Sequence, residues 1–341
     1  MRIIFAGSPA IAVPCLKAIA DMSDGDRSHH SDAGGDSHHS DVELAGVLTN
    51  ADSPKGRHGK PEPTEVGAAA AVFSAKLAAQ GLSPIPILKP EKLMAEAREA
   101  VAVLKPDLLV SFAYGRIFGP KFLGLFPLGG INIHPSLLPG YRGPAPIPQA
   151  ILNRDAETGI TIQRLAVEMD SGDILLQERI LLSGRETTAS LSEDVGHRAA
   201  TLLPEALRGI AAGTLAARPQ DHSAATYCGL LSKDDGRIDW AKSAVEIDAQ
   251  IRAFTPWPLS WTMHGGQYLY ILKTEKAPAE KVTDTSETAP GAILGIDKQR
   301  GILVQTGDGV LAVTMLQYRT KKALEWRAFL NGVRDFTGIL C

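Results

Sequence analysis

Asp107-Leu108-Leu109-Val110-Ser111-Phe112-Ala113 is an almost unbroken apolar run, preceded by Pro106 and followed by Tyr114-Gly115. Its length suits a strand, and continuous apolarity implies burial on both faces, the condition of a strand inside a parallel sheet covered by helices. Toward the N-terminus, Arg2 to Ala6 and Leu44 to Thr49 repeat the pattern, while helix-forming stretches lie at 12–20, 64–82 and 90–104. Toward the C-terminus, Ile131 to Ile133 reads as a short central strand and Pro144 to Asn153 as a helix. Ile160 to Ala166 and Ile174 to Ile180 follow as strands joined through Glu168 to Asp173, and Thr188 to Ala212 as a long helix. Strands alternating with helices at this spacing predict an α/β domain with a doubly wound, mostly parallel sheet.

After Gly213 the pattern changes. Residues 214–227 lack a strong period, and from Ile238 onward short runs (Gln267 to Leu272, Ala292 to Ile296, Gly301 to Thr306, Val310 to Leu316) are separated by Gly, Pro and Asp turns. That spacing predicts a smaller C-terminal β-barrel of OB-like type. A chain of 341 residues favours two domains. The expected division is residues 1–212, a linker at 213–227, and 228–341. Asp284 to Pro290 reads as a loose hairpin loop.

Hydrophobic residues at 44% and charged residues at 21% exclude a collagen-like, coiled-coil or wholly disordered chain. A formal net charge of -3 excludes a histone-like basic binder, so any nucleic-acid partner must be held by local patches. From Cys228 to Cys341 there are 14 Lys and Arg against 13 Asp and Glu, which makes this the less acidic part. Cys15, Cys228 and Cys341 are odd in number and widely separated, so neither a disulfide framework nor a zinc site is indicated and a reducing cytoplasm fits. Met1 to Gly7 reaches Gly7 and Pro9 before an apolar core of signal length accumulates, and no apolar run of membrane-spanning length occurs.

One segment builds no core. Between Asp21 and Asp41, Ser-His-His-Ser-Asp occurs twice, at Ser28 to Asp32 and Ser37 to Asp41. Paired imidazoles flanked by Asp suit zinc or nickel, whereas the composition also suits a solvated, dispensable loop insertion. The second reading is the expectation carried forward.

The polar chemistry concentrates in Gly129 to Gly143. On a strand Asn132 and His134 are two apart and share a face. At the carboxyl end of a parallel strand they would look into the crevice where doubly wound sheets bind ligands. An amide can hold a developing oxyanion, and an imidazole can donate to it or move a proton. Taken alone, Asp170 in the polar Glu168 to Asp173 connection reads as part of an Asp-Ser-Gly turn, while beside such a histidine its carboxylate could raise the basicity of the imidazole and order a water. Gly7-Ser8-Pro9 lacks the glycines of the dinucleotide-binding fingerprint, so the sheet is not read as NAD-binding.

Asn-Ile-His-Pro-Ser-Leu-Leu-Pro-Gly-Tyr-Arg-Gly at Asn132 to Gly143, Glu-Thr-Gly-Ile-Thr-Ile at Glu157 to Ile162 and Met-Asp-Ser-Gly-Asp-Ile at Met169 to Ile174 occur in this order. Together they resemble the 10-formyltetrahydrofolate-dependent formyltransferases. Ile3 to Pro9, Ala113 to Gly115, Arg237 to Trp240 and Ala253 to Pro258 extend the resemblance over essentially the whole chain, toward the branch that acts on charged initiator tRNA. The resemblance implies a catalytic trio of Asn132, His134 and Asp170, and no metal. It implies formyl transfer from 10-formyltetrahydrofolate to the α-amine of methionine on initiator tRNA, by a cytoplasmic monomer. The folate would be held by Arg116, Ile117, Ser136, Leu137, Leu138, Pro139, Ala166, Val167 and Glu168, with a cis Leu138–Pro139 bond. Gly7-Ser8-Pro9 would help shape the aminoacyl or acceptor-end pocket, though Ser8 reads equally as part of a plain strand-to-helix turn.

Arg57, in the 49–64 loop, would reach the acceptor stem, and Arg319, Lys321 and Lys322, beside Lys298 and Arg300, suit a phosphate-facing patch. There are two departures: the segment at Asp21 to Asp41, and His58 interrupting the usual Gly-Arg-Gly. Two other functions compete. A sugar-nucleotide amine formyltransferase would keep the trio without a counterpart to the Arg57 loop, and a catalytically idle RNA-binding protein would lack the trio.

Overall fold

The computed structural model describes residues 1–27, 42–54, 59–276, 288–333 and 335–341. In chain order the first elements are β1 (Arg2–Gly7), α1 (Val13–Arg27), β2 (Glu43–Leu48), β3 (Ser53–Pro54), β4 (Pro61–Glu62), α2 (Glu65–Ala79) and β5 (Ile87–Leu88). There follow α3 (Ala95–Ala102), β6 (Leu108–Phe112), α4 (Pro120–Leu123), β7 (Gly130–His134), α5 (Pro146–Leu152), β8 (Glu157–Arg164), β9 (Ile174–Leu181) and α6 (Thr188–Ala211). The remainder comprises α7 (Ala244–Ala253), β10 (Ser260–His264), β11 (Gln267–Lys276), β12 (Ile293–Asp297), β13 (Gly301–Gln305), β14 (Val310–Tyr318), β15 (Leu324–Glu325) and α8 (Trp326–Gly332). Two compact units result. One is built from Met1–Pro144, Thr158–Ile180 and Ser192–Cys228, the other from Ala145–Glu157, Leu181–Leu191 and Gly229–Cys341.

The first unit holds a seven-stranded sheet in the order β5-β2-β1-β6-β7-β8-β9. Pairing is parallel from β5 through β7 and turns antiparallel at β7–β8. All five residues of β6 are buried, as its apolar run requires. Tyr114, Phe118, Phe122 and Phe126 recur every fourth residue and form a row of rings 5.5 to 5.8 Å apart against Ile4, Ala6 and Leu109. Thr64 caps α2 by accepting from the Gly67 N–H at 3.0 Å, which fixes where that helix begins.

The segment at Asp21 to Asp41 departs from the expectation of a wholly solvated loop. Helix α1 runs on through Arg27, and Ser23 within it is buried, its hydroxyl accepting from the Leu44 N–H at 3.5 Å. A single polar anchor can bury a residue in a stretch with no apolar face. Residues 28–41, with the four histidines, lie outside the described residues, as do Arg57 and most of the Asp284 to Pro290 stretch.

The second unit is an antiparallel sheet in the order β10-β11-β14-β13-β12, with β15 on β14. Among the described residues no ladder joins β10 to β12. Its core gathers Ile247 and Ile251 from α7, Leu269, Ile271, Ile302, Val304, Leu311 and Val313 from the strands, and Trp326 from α8. Helix α7 was not anticipated. Its start is fixed by a reciprocal capping box between Ser243 and Glu246.

The connection from β8 to β9 carries Asp170 and closes tightly. The Arg164 N–H donates to the Asp173 carbonyl at 2.9 Å, and a Cβ placed on Gly172 would lie 1.9 Å from the Arg164 carbonyl oxygen. Gly172→Ala should therefore destabilise the protein by about 2 kcal/mol through overpacking against backbone. Urea denaturation beside wild type reads the effect, and an unshifted midpoint would contradict it.

Candidate active site

Strand β7 presents Asn132 and His134 on one face, near the end where β6 contributes Ser111 opposite Asn132. Across the antiparallel ladder, Gln163 faces Asn132 and Thr161 faces His134. The β8–β9 connection brings Asp170 to the same place. Its side chain is 11% exposed. Carboxylate Oδ1 accepts from Asn132 Nδ2 at 3.3 Å and from Gln163 Nε2 at 3.0 Å, while Oδ2 accepts from the Gly143 N–H at 2.9 Å. The trio read from the sequence is thus gathered in space, and Gln163 and Gly143 join it. Asp170 has φ of 52°, in the left-handed region that a residue with a side chain seldom occupies. Such a conformation persists only where its surroundings enforce it.

His134 has its side chain 4% exposed, with Nε2 2.8 Å from the Tyr141 carbonyl and Nδ1 3.5 Å from Asp170 Oδ2. A carbonyl oxygen only accepts, so Nε2 carries the hydrogen and the neutral ring turns its Nδ1 lone pair toward the carboxylate. Burial pushes the pKa of His134 below its ordinary value, against the opposing pull of the Asp170 charge and the Tyr141 carbonyl. The resting state is a neutral base beside a carboxylate. A proton arriving at Nδ1 would lie between the two.

The Asn132-to-Gly143 turn is braced from within. Ser136 Oγ donates to the Gly140 carbonyl at 2.6 Å, and the Leu138 N–H donates to Thr161 Oγ1 at 3.1 Å, with Leu138–Pro139 cis. Leu137 and Pro139 flank these contacts and are half-buried. Arg116 donates to Asn50 Oδ1 at 2.8 Å and to the Glu91 carbonyl. Beside it Ile117 is 76% exposed, and in the connection after β8 Val167 is 77% exposed between exposed Ala166 and Glu168. Large apolar side chains left open on loops that follow β6 and β8 suit a ligand with flat apolar rings. Ser8 is buried, its hydroxyl accepting from the Asn50 N–H at 3.2 Å, so it shapes the turn after β1.

The stretch expected to be a linker is part of the first unit. Arg218 exchanges backbone hydrogen bonds with Ile174 at 2.8 Å, and the Arg142 N–H donates to the Thr226 carbonyl at 2.8 Å. Polar anchors hold this strip, and hydrophobic periodicity does not register them. Gln163 was within reach of the sequence, because Thr161 and Gln163 alternate with Ile160 and Ile162 in the buried part of β8. Arg319, Lys321 and Lys322 are exposed at the end of β14 and the turn before β15, with Arg319 5.1 Å over the Tyr268 ring. Among the described residues no group of acidic, histidine and cysteine side chains is arranged to hold a metal ion, and no helix is long and apolar enough to cross a membrane.

Comparison with known proteins shows what the chain is similar to. The family described as "Formyl transferase" matches residues 23–207, and "Formyl transferase, C-terminal domain" matches residues 230–334. A methionyl-tRNA formyltransferase of Treponema denticola is 46% identical over 338 residues, spanning 98% of both chains. One from Borrelia hermsii is 38% identical over 99% of each. Among solved structures, an N-formyltransferase from Helicobacter canadensis, in complex with folinic acid and dTDP-3-aminofucose, shares the fold. Its TM-score is 0.58 at 19% identity, covering 91% of this chain and 98% of that one.

The lowered pKa of His134 sets the sign of a pH effect. Below its ordinary value of about 6.5, the unfolded chain takes up a proton at this residue that the folded chain refuses. Stability contributed through His134 is therefore lost as pH falls through that window. The urea midpoint of wild type should drop more between about pH 7.5 and pH 5.5 than that of His134→Gln, and equal drops would count against a neutral buried imidazole.

Proposed function

The chain belongs to the formyl transferase family, and on that premise we propose that it transfers the formyl group of 10-formyltetrahydrofolate to the α-amine of methionine on initiator tRNA. The observation that carries the reading is the polarity of the Asn132, His134 and Asp170 cluster. Asn132 uses one amide hydrogen on Asp170 and keeps the second for an incoming oxygen. The folate supplies the formyl carbon.

As the unprotonated amine adds to that carbon, negative charge grows on the formyl oxygen, where the Asn132 donor holds it. One such donor is typically worth about 3 to 4 kcal/mol. A new carbon–nitrogen bond forms to methionine, the bond to the folate nitrogen breaks, and one proton passes from amine to folate. His134 Nδ1, unprotonated and 3.5 Å from Asp170 Oδ2, is the group placed to carry it, the carboxylate stabilising the imidazolium while it exists. Exposed Ile117 and Val167, with backbone at Arg116 and at Ala166 to Glu168, support the folate assignment, and Ser136 to Pro139 shape that wall.

For the tRNA, we assign Arg57 to the acceptor end and Arg319, Lys321 and Lys322 to phosphate contacts. The exposure of the last three supports this assignment. The trio comes from a single chain, in keeping with a monomer, and the few, widely spaced cysteines suit a cytoplasmic enzyme.

A labelled-formyl assay with charged initiator tRNA beside a nucleotide-sugar amine tests the reading, and transfer only to the sugar amine would replace it. Asn132→Ala, His134→Ala and Asp170→Asn should each lower kcat by at least about a hundredfold with non-additive losses, because they act on one transition state. Near-normal turnover with an intact fold would release that residue from the mechanism. Arg57→Ala should weaken use of tRNA while folate binding holds. Replacing Lys321 and Lys322 together with Ala should reduce the salt dependence of tRNA affinity by about two phosphate contacts. An unchanged slope would move the RNA surface elsewhere.

A further inference from the structure

Gln220 lies in the aperiodic stretch 214–227 of the first unit and has no part in the chemistry above, yet it is 5% exposed and saturated with partners. Its Nε2 donates to the Asp170 carbonyl at 2.9 Å and the Gly172 carbonyl at 2.6 Å, and lies 3.2 Å from Gln163 Oε1. Its Oε1 accepts from Arg142 Nε at 3.1 Å and Nη2 at 2.7 Å. Carbonyls only accept and a guanidinium only donates, so the amide has one orientation.

Arg142 is 2% exposed, and among the described residues it has no carboxylate partner. Its other contacts are His222 Nδ1 at 3.0 Å and the Tyr227 hydroxyl at 3.4 Å. A buried cation held only by neutral groups is a costly arrangement that stability alone does not favour. Position in the chain gives it a use. The carbonyl before Arg142, on Tyr141, receives His134, and the N–H after it, on Gly143, donates to Asp170. Through Gln220 the same arginine reaches the main chain of Asp170 itself. The turn that holds the histidine and the connection that carries the aspartate are therefore joined by one buried side-chain bridge.

We propose that Gln220, anchored by Arg142, is a positioning residue for formyl transfer, fixing the left-handed Asp170 turn so that its carboxylate stays within reach of Asn132, Gln163 and Gly143. A misplacement of about 1 Å at a reacting group can cost on the order of a hundredfold in rate. The inference rests on the transferase reading of the site, and its test keeps the two apart.

Gln220→Glu preserves shape and pairs with the Arg142 guanidinium, but it turns a donor into an acceptor against the Asp170 and Gly172 carbonyls. Gln220→Ala removes both functions. Gln220→Glu should melt close to wild type while kcat falls by about ten- to a hundredfold, with KM for folate and for charged tRNA changed by no more than about twofold. Gln220→Ala should share the kcat defect and melt lower. Amide exchange at Gly143 reads the reach of Asp170 without turnover, and it should quicken in Gln220→Glu. A kcat for Gln220→Glu within about twofold of wild type, losses that merely follow the unfolded fraction, or unchanged exchange at Gly143 would overturn the proposal. Should wild type fail to formylate charged initiator tRNA, the transferase reading falls, while exchange at Gly143 still decides whether Gln220 holds the turn.

Discussion

The carboxylate of Asp170 is the point on which the site depends. It accepts from Asn132, Gln163 and the Gly143 N–H, three donors delivered by two strands and a turn, and faces the unprotonated nitrogen of His134. Charge-assisted hydrogen bonds of this kind are the strong ones, and their directions leave little freedom to the groups that make them. The reversal of strand direction between β7 and β8 makes the convergence possible, since it sets Gln163 opposite Asn132 and lets the chain after β8 turn back over the same face.

Sequence reasoning reached different parts of this arrangement by different routes. The apolar continuity of β6 and the two-residue spacing of Asn132 and His134 are local signals, and the sheet and its pair of polar residues followed from them. Asp170 had no such signal, because a single aspartate in a polar connection reads as a turn, and it was identified through motif resemblance. Gln163 carried a readable sign, a buried amide alternating with Thr161. Gln220 carried none. Its partners are two main-chain carbonyls and a guanidinium some 48 to 78 positions away, and no periodicity records such ties. Helix α7 shows the opposite failure, for Ser243 and Glu246 spell a capping box that a reading devoted to short strands passed over.

A neutral His134 also explains why the turn from Asn132 to Gly143 is so heavily braced. With its one hydrogen committed to the Tyr141 carbonyl, the ring stays fixed while its free nitrogen gains and loses a proton. A ring free to move its hydrogen to Nδ1 would present an N–H to the carboxylate and keep no base there to take a proton. Ser136 and Thr161 thus serve tautomer control as well as shape.

The two units are interleaved along the chain, and this bears on how the protein is made. Helix α5, with Pro146, Ile147, Pro148, Ala150 and Ile151 buried, belongs to the same unit as α7, which it packs against and which begins only at Ala244. At ribosomal speeds, the interval between their emergence is on the order of ten seconds. For that time a greasy half-interface stands without its mate on the nascent polypeptide. A chaperone that shields it, or a pause in translation that prolongs the wait, would act on this helix while the catalytic residues, all upstream of Ala244, are already made.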